Sequence, residues 1–179
     1  DRIDLETEQP WSLSPMIPSQ HLHALQKIVT SLKGGNIDWA VTGSLGMALQ
    51  GVPVEVHDID IQTNKNGAYE IERLLRKFGV TPVRYVESER IRSYLGKLEI
   101  EGIAVEIMGD IQKRLEDSPA KEPVWEEPVK VEAYRQWVEM EGLQVPVLSL
   151  VYEYQAYLWL GRTEKAAMLR EWLERQKSD

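Results

Sequence analysis

The sequence contains no cysteine, which excludes disulfides, thiolate zinc sites and cysteine nucleophiles. Phenylalanine occurs once, against six tryptophans and seven tyrosines. The Trp and Tyr residues gather between Trp125 and Trp172, where they read as core and subunit-contact surface. No apolar run approaches the roughly 18 to 20 residues that cross a bilayer. The start, Asp1 to Pro18, also lacks the basic-then-apolar layout of a signal peptide, so a cytoplasmic location is expected. The chain does not begin with Met, which leaves room for residues before Asp1. Positive charge is scarce: 21 Lys and Arg face 29 Asp and Glu, a net charge of -8. That balance argues against nucleic acid as the main partner, because phosphate backbones are bound by clustered Lys and Arg. What is present suits a soluble globular chain with a real core: 179 residues, 42% hydrophobic and 28% charged, enough for one folding unit with a small helical appendage.

Periodicity divides the chain into an arm (1–18), a main domain (19–148) and a C-terminal helical pair (149–179) packed on it. From Ser19 to Leu32, Leu22, Leu25, Ile28, Val29 and Leu32 recur at helical steps, with Ser19 available as N-cap. Ile37–Thr42 reads as a short strand, followed by Gly43-Ser44 and a helix over Leu45–Gln50. His57–Thr63 alternates, with Ile59 and Ile61 on one face and Asp58 and Asp60 on the other. A helix over Ala68–Phe78 is expected to take Asn66 as its cap. Strands follow at Val83–Glu87, Ile91–Leu95 and Leu98–Met108, the last split into a hairpin at Glu101-Gly102. Asp110–Leu115 reads as a helical turn, Glu116–Glu127 as a Pro-containing loop, and Val129–Ala133, Gln136–Met140 and Leu143–Val147 as strands. Helices over Ser149–Leu160 and Thr163–Gln176 end the chain. The order implies an α/β (α+β) fold with a mixed central β-sheet flanked by helices.

Two aspartates two apart on a strand project from one face, roughly 6 to 7 Å between Cα atoms, and can reach one divalent ion or two neighbouring ones. Oxygen ligands favour Mg²⁺ or Mn²⁺. Taken alone, such a pair is an ordinary solvated strand face. The isoleucines opposite anchor the strand in a core, and Asp is a poor strand former. A Gly-Ser where a strand gives way to a helix offers N–H groups and a hydroxyl to a phosphate, although Ser44 would equally serve as a plain N-cap. Together the elements describe phosphate held beside a metal.

The stretch Val41–Ile61, VTGSLGMALQGVPVEVHDIDI, resembles the signature of the nucleotidyltransferase superfamily of the DNA polymerase β type, and most of all its small bacterial minimal and antibiotic-modifying members. The resemblance implies a third carboxylate on a neighbouring strand. Ile103–Asp110 fits that slot, with Glu106 pointing as the aspartates do and Asp110 in reserve. It further implies that Gly43 and Ser44 hold the β and γ phosphates of a nucleoside triphosphate, that Asp58 and Asp60 bind two Mg²⁺ ions, and that Glu106 binds the catalytic ion and helps deprotonate an acceptor hydroxyl. Attack at the α phosphate would release pyrophosphate. Arg162 and Lys165, in the GRTEK connection, are the candidates for the part of the triphosphate-binding lysine, although such residues also serve as solvated charges at helix ends. Departures from the family pattern are His57 before the first Asp, where many relatives carry Ser or Arg, and Glu in place of the commoner Asp as third acid.

Other polar and aromatic features take plainer readings. His21 and His23 do not share a helix face. Tyr154, Tyr157, Leu158 and Trp159 read as packing residues. Arg84, Arg90, Arg92 and Lys97 could form a basic wall where an anionic acceptor binds. The expected function is metal-dependent transfer of a nucleoside monophosphate to a hydroxyl on a small molecule or protein. The alternative is a catalytically weak binding module of the same fold, such as a toxin–antitoxin component. A nucleotide-sugar glycosyltransferase is disfavoured by length. The acceptor, the preferred base and any homo-oligomer or protein partner stay open.

Overall fold

The computed structural model describes residues 17–115 and 122–178. The expected arm, up to residue 16, and residues 116–121 of the Pro-containing loop lie outside that range. Helix α1 (Ser19–Leu32) buries the anticipated stripe of Leu25, Ile28, Val29 and Leu32, but Pro18 rather than Ser19 stands at its N-cap position. Strand β1 (Trp39–Thr42), buried at all four positions, runs directly into α2 (Gly43–Leu49). Strand β2 (Ile59–Thr63) then leads into α3 (Lys65–Leu74). The cap of α3 is Asn64, not Asn66: its side chain accepts a hydrogen bond from the Gly67 N–H at 2.7 Å. The helix therefore starts three residues before the first apolar position of its stripe, and Arg76–Phe78 continues it only as a 3₁₀ turn.

Three long strands follow, β3 (Thr81–Glu87), β4 (Ile91–Ile100) and β5 (Ile103–Leu115). The short β6 (Val124–Trp125) pairs with the far end of β5. The expected strand Val129–Ala133 is instead a single helical turn, α4 (Val131–Tyr134). A run that short has no free edge to join nearby, since β1 is already flanked by β2 and β8 (Leu143–Leu148). Its Val131 packs beside Ala40, Leu148 and Tyr152. Strand β7 (Arg135–Met140) closes the sheet, and α5 (Leu150–Trp159) and α6 (Thr163–Lys177) follow. The strand order is β3-β4-β5-β2-β1-β8-β7. β2 pairs with β5 and β1 with β8 in parallel, and the other pairs on this path are antiparallel, so the sheet is mixed. Two-residue turns at Glu101-Gly102 and Glu141-Gly142, all four residues at positive φ, match the twist that antiparallel hairpins need.

One face of the sheet carries the main core, with Ile59, Ile61, Val105 and Ile107 packed among α1 and α3 residues such as Ile28, Ala68 and Ile71. At Gly109 the start of α3 lies close against β5: a Cβ there would lie 2.7 Å from the Asn64 carbonyl oxygen and 2.9 Å from Ala68 Cβ. Gly109→Ala is accordingly expected to destabilise the protein by about 1–3 kcal/mol, as overpacking against backbone does, measured as a drop in urea midpoint at unchanged slope.

The sequence reading of Asp110–Leu115 as a helical turn is overturned, because β5 continues through it. Between Tyr94↔Gly109 and Arg92↔Gln112 the register gains one residue on β5, and Asp110 sits there at φ +50°. This is a β-bulge with its first residue left-handed, and it exchanges the faces of every residue beyond it. Ile111 and Lys113 consequently join Met108 on the face of Glu106. Among the described residues, no helix is long and apolar enough to cross a membrane.

Candidate active site

The polar face opposite the main core holds the acids. Thr42 of β1 pairs with Asp60 of β2, and Asp60 pairs with Glu106 of β5, so both carboxylates rise from adjacent strands at one level. Asp58 lies just before β2 begins. Burial raises the Asp60 carboxyl to about 6, and repulsion from Glu106 and Asp58 adds to the shift. Asp60 thus feels the charge of both other acids. Glu106 also has another partner, Lys97 of β4, at 3.6 Å. Among the described residues, no three His, Asp or Glu side chains stand close enough to form a ready metal cluster.

Gly43 turns the chain from β1 into α2 at φ +72°, and a Cβ at this position would lie 2.9 Å from Asp60 Oδ2. Its glycine identity serves both a left-handed backbone and the space the aspartate occupies. The Gly43 N–H points inward and donates to Glu153 Oε1 at 3.2 Å. Ser44 does not cap the helix. Its Oγ accepts the His57 N–H at 3.0 Å, tying α2 to the entrance of β2 and leaving its own O–H to donate. His21 reaches the same place from α1, with Nε2 at 2.7 Å from the His57 carbonyl oxygen.

A cleft of about 290 Å³ opens between this face and α5. Gly43, Ser44, Asp58, Asp60, Arg162 and Lys165 all line it, so the structure brings six of the seven expected residues together. Glu106 is outside the lining, beside Asp60 on the next strand. Arg162 and Lys165 are exposed at the α5–α6 junction, where Lys165 Nζ lies 5.6 Å from the Tyr157 ring. Tyr157 packs with Met47, Val52, Ala166 and Leu169 as expected, but it also forms part of the cleft wall.

The basic wall does not form. Arg90 donates to the Trp159 carbonyl at 3.1 Å and stacks on the Trp159 ring, pinning the end of α5. Arg92 donates to Gln112 at 2.9 Å and stacks on Trp125. Both guanidiniums hold the fold, whereas Lys97 answers Glu106.

Sequence reasoning missed Glu153, Lys113 and Tyr152, which complete the cleft floor. Glu153 is 4% exposed and accepts from the Thr42 hydroxyl and the Gly43 N–H. Burial lifts its carboxyl to about 7 against those hydrogen bonds, with Asp60 pushing it further up. A lone acid amid Leu150–Tyr154 on an aromatic helix was the available signal. Burial likewise lowers the Lys113 ammonium, while Glu126 and Glu153 hold it up.

The family model described as aminoglycoside-2''-adenylyltransferase matches residues 24–171. The chain is 56% identical to TM1012 of Thermotoga maritima, whose crystal structure carries a provisional nucleotidyltransferase assignment. The match covers 89% of this chain and 96% of that one, with a TM-score of 0.76. Two structures of ANT(2'')-Ia, each 15% identical, share the fold. The crystal structure with adenylyl-2''-tobramycin gives a TM-score of 0.56 over 89% of this chain and 91% of that one. The solution structure of this antibiotic-resistance factor gives 0.58 over 90% and 88%. No curated protein matches the chain. With the family model spanning most of its length and a 56% identical relative aligned almost end to end, the chain belongs to the aminoglycoside-2''-adenylyltransferase family of nucleotidyltransferases.

Proposed function

We propose that this protein transfers a nucleoside monophosphate from a nucleoside triphosphate to a hydroxyl acceptor, using Mg²⁺ or Mn²⁺ held by Asp58 and Asp60 with Glu106. One observation carries the reading: a single cleft sets Asp58 and Asp60 together with Ser44, Arg162 and Lys165, so metal-type ligands and phosphate-type cations share one space. The donor set fits a hard divalent cation, being all oxygen. Asp60, driven up to about 6 by burial and neighbouring carboxylates, is the group such a cation would return to full ionisation. When bound, the ion supplies positive charge against the phosphate oxygens on either side of the bond being exchanged.

The chain's own groups do the rest. Ser44 donates its hydroxyl hydrogen to a phosphate oxygen while His57 N–H holds the Oγ in place. Arg162 and Lys165 close on the triphosphate from the helical pair, which residues 149–179 contribute to the site. Glu106, on leaving Lys97, accepts the proton of the acceptor hydroxyl at a carboxylate oxygen. Glu153 works from beneath, fixing Thr42 and Gly43 so that Asp60 keeps its place.

The test is transfer of label from α-³²P nucleoside triphosphates in Mg²⁺ to a panel of hydroxyl compounds, aminoglycosides and lysate proteins. Pyrophosphate release that requires both triphosphate and acceptor is the expected result. Absence of release with every combination contradicts the reading.

A further inference from the structure

Helix α1 belongs to the main core, on the face of the sheet opposite the acids, and its start is held fast. Ile17, just before it, is 1% exposed, and the Gln20 side chain donates to the Glu101 carbonyl in the turn between β4 and β5. From this fixed base His21, 8% exposed, brings Nε2 to 2.7 Å from the His57 carbonyl oxygen. A carbonyl only accepts, so Nε2 carries the hydrogen. Nδ1 is buried and has no hydrogen-bond partner among the described residues. An unused buried polar atom is a cost that Leu or Phe would not carry, so what histidine adds here is the single bond to His57.

That bond falls where the chain has least support of its own. The segment from Val52 to Asp58 is irregular, and β2 begins only at Ile59. Both hydrogen-bonding groups of the His57 backbone are met by side chains of other elements, the N–H by Ser44 Oγ at 3.0 Å and the carbonyl by His21. Because a peptide unit is planar, the direction of that carbonyl also fixes the N–H and Cα of the next residue, Asp58. The His57 N–H, in turn, settles where Ser44 Oγ stands. Asp58 and Ser44 line the cleft, whereas His21 lies outside the lining. We propose that His21 is a positioning residue, aiming Asp58 at the divalent ion and Ser44 at the triphosphate from behind the site. This role rests on the nucleotidyl-transfer reading above.

Two variants of the full chain test it: His21→Leu, which keeps bulk and removes the donor, and His21→Gln, whose side-chain amide puts an N–H near the place of Nε2. His21→Leu should need about tenfold or more Mg²⁺ for half-maximal binding of α,β-methylene ATP by calorimetry, the scale reached when the partner that orients a metal ligand is removed. His21→Gln should recover most of that loss. Amide hydrogen exchange, read without nucleotide or metal, should quicken by up to about tenfold at His57 and Asp58 in His21→Leu and stay unchanged in β1 and β5, as loss of one hydrogen bond in a locally opening segment requires. A histidine that only supports the fold would lower the melting temperature and quicken exchange throughout, with the Mg²⁺ requirement of wild type. That result overturns the proposal, as does an unchanged Mg²⁺ requirement with exchange altered only at His57 and Asp58, or a His21→Gln no better than His21→Leu. Wild type that shows no Mg²⁺-dependent binding of the analogue contradicts the nucleotidyl-transfer reading itself, and the role of His21 falls with it.

Discussion

Asp60→Asn should lower nucleotidyl transfer by about 10³-fold or more and, in the same molecule, raise thermal stability. The first effect follows from removing charge at the centre of the acid group, between Thr42 and Glu106 in the strand register. The second follows from the cost of keeping that charge. Asp60 has its carboxyl raised from 3.8 to about 6, chiefly by burial and then by Glu106 and Asp58. A folded-state value above the unfolded one means that the native protein binds the proton more tightly, so ionisation works against folding. The penalty is absent below about pH 3.8, builds up to about pH 6 and is constant above. A shift of that size corresponds to about 2–3 kcal/mol, an upper figure for a side chain that keeps some contact with water. Melting temperatures at pH 8 should therefore favour Asp60→Asn, and the advantage should shrink toward pH 4. A variant equally inactive but less stable at pH 8 would show that the carboxylate is a structural group. Saturating Mg²⁺ should raise the melting temperature of wild type and not that of Asp60→Asn.

Gly43→Ala should remove activity by a different route, losing stability as it does so. The backbone at φ +72° costs a residue with a Cβ roughly 1–2 kcal/mol. The added methyl would also meet Asp60 Oδ2 at 2.9 Å. Either the carboxylate turns away or the start of α2 moves, and the second course breaks the Gly43 N–H bond to buried Glu153. Transfer should fall at least about 10²-fold, the scale reached when a catalytic group is displaced by about an ångström. The two variants thus separate on stability while agreeing on activity. Retention of activity in Gly43→Ala would mean that the site does not depend on where Asp60 sits.

Much of this site was legible in the residue pattern because its parts are local. Ile59 and Ile61 alternate with Asp60, so the strand declares which face is buried and which is acidic. Gly43-Ser44 was marked by the strand-to-helix turn it makes, and Glu106 by the third carboxylate that the family resemblance implies, with alternation along Ile103–Asp110 setting only its face. The parts that were missed depend on events a period cannot carry. One inserted residue at Asp110 exchanges the faces of β5, so Lys113 stands in the cleft where plain alternation would put it in the core of Ile107. Glu153 becomes a floor residue only because α5 folds back over Thr42, more than a hundred positions away in the chain. Arg90 and Arg92 looked available because the rings that occupy them, Trp159 and Trp125, belong to distant segments. The cap at Asn64 rather than Asn66 is a smaller matter of the same kind, since α3 begins before its apolar stripe does.

The central claim is that the acids and cations around this cleft hold a triphosphate together with a divalent ion. Its most direct measurement is calorimetric titration with a non-hydrolysable α,β-methylene triphosphate, with and without Mg²⁺, on wild type and on the Asp58→Asn, Asp60→Asn double variant. The account predicts one Mg²⁺-dependent binding event per chain in wild type and its loss, by about 10²-fold or more, in the variant. Equal affinity in the two proteins, or no Mg²⁺ dependence in wild type, would contradict it.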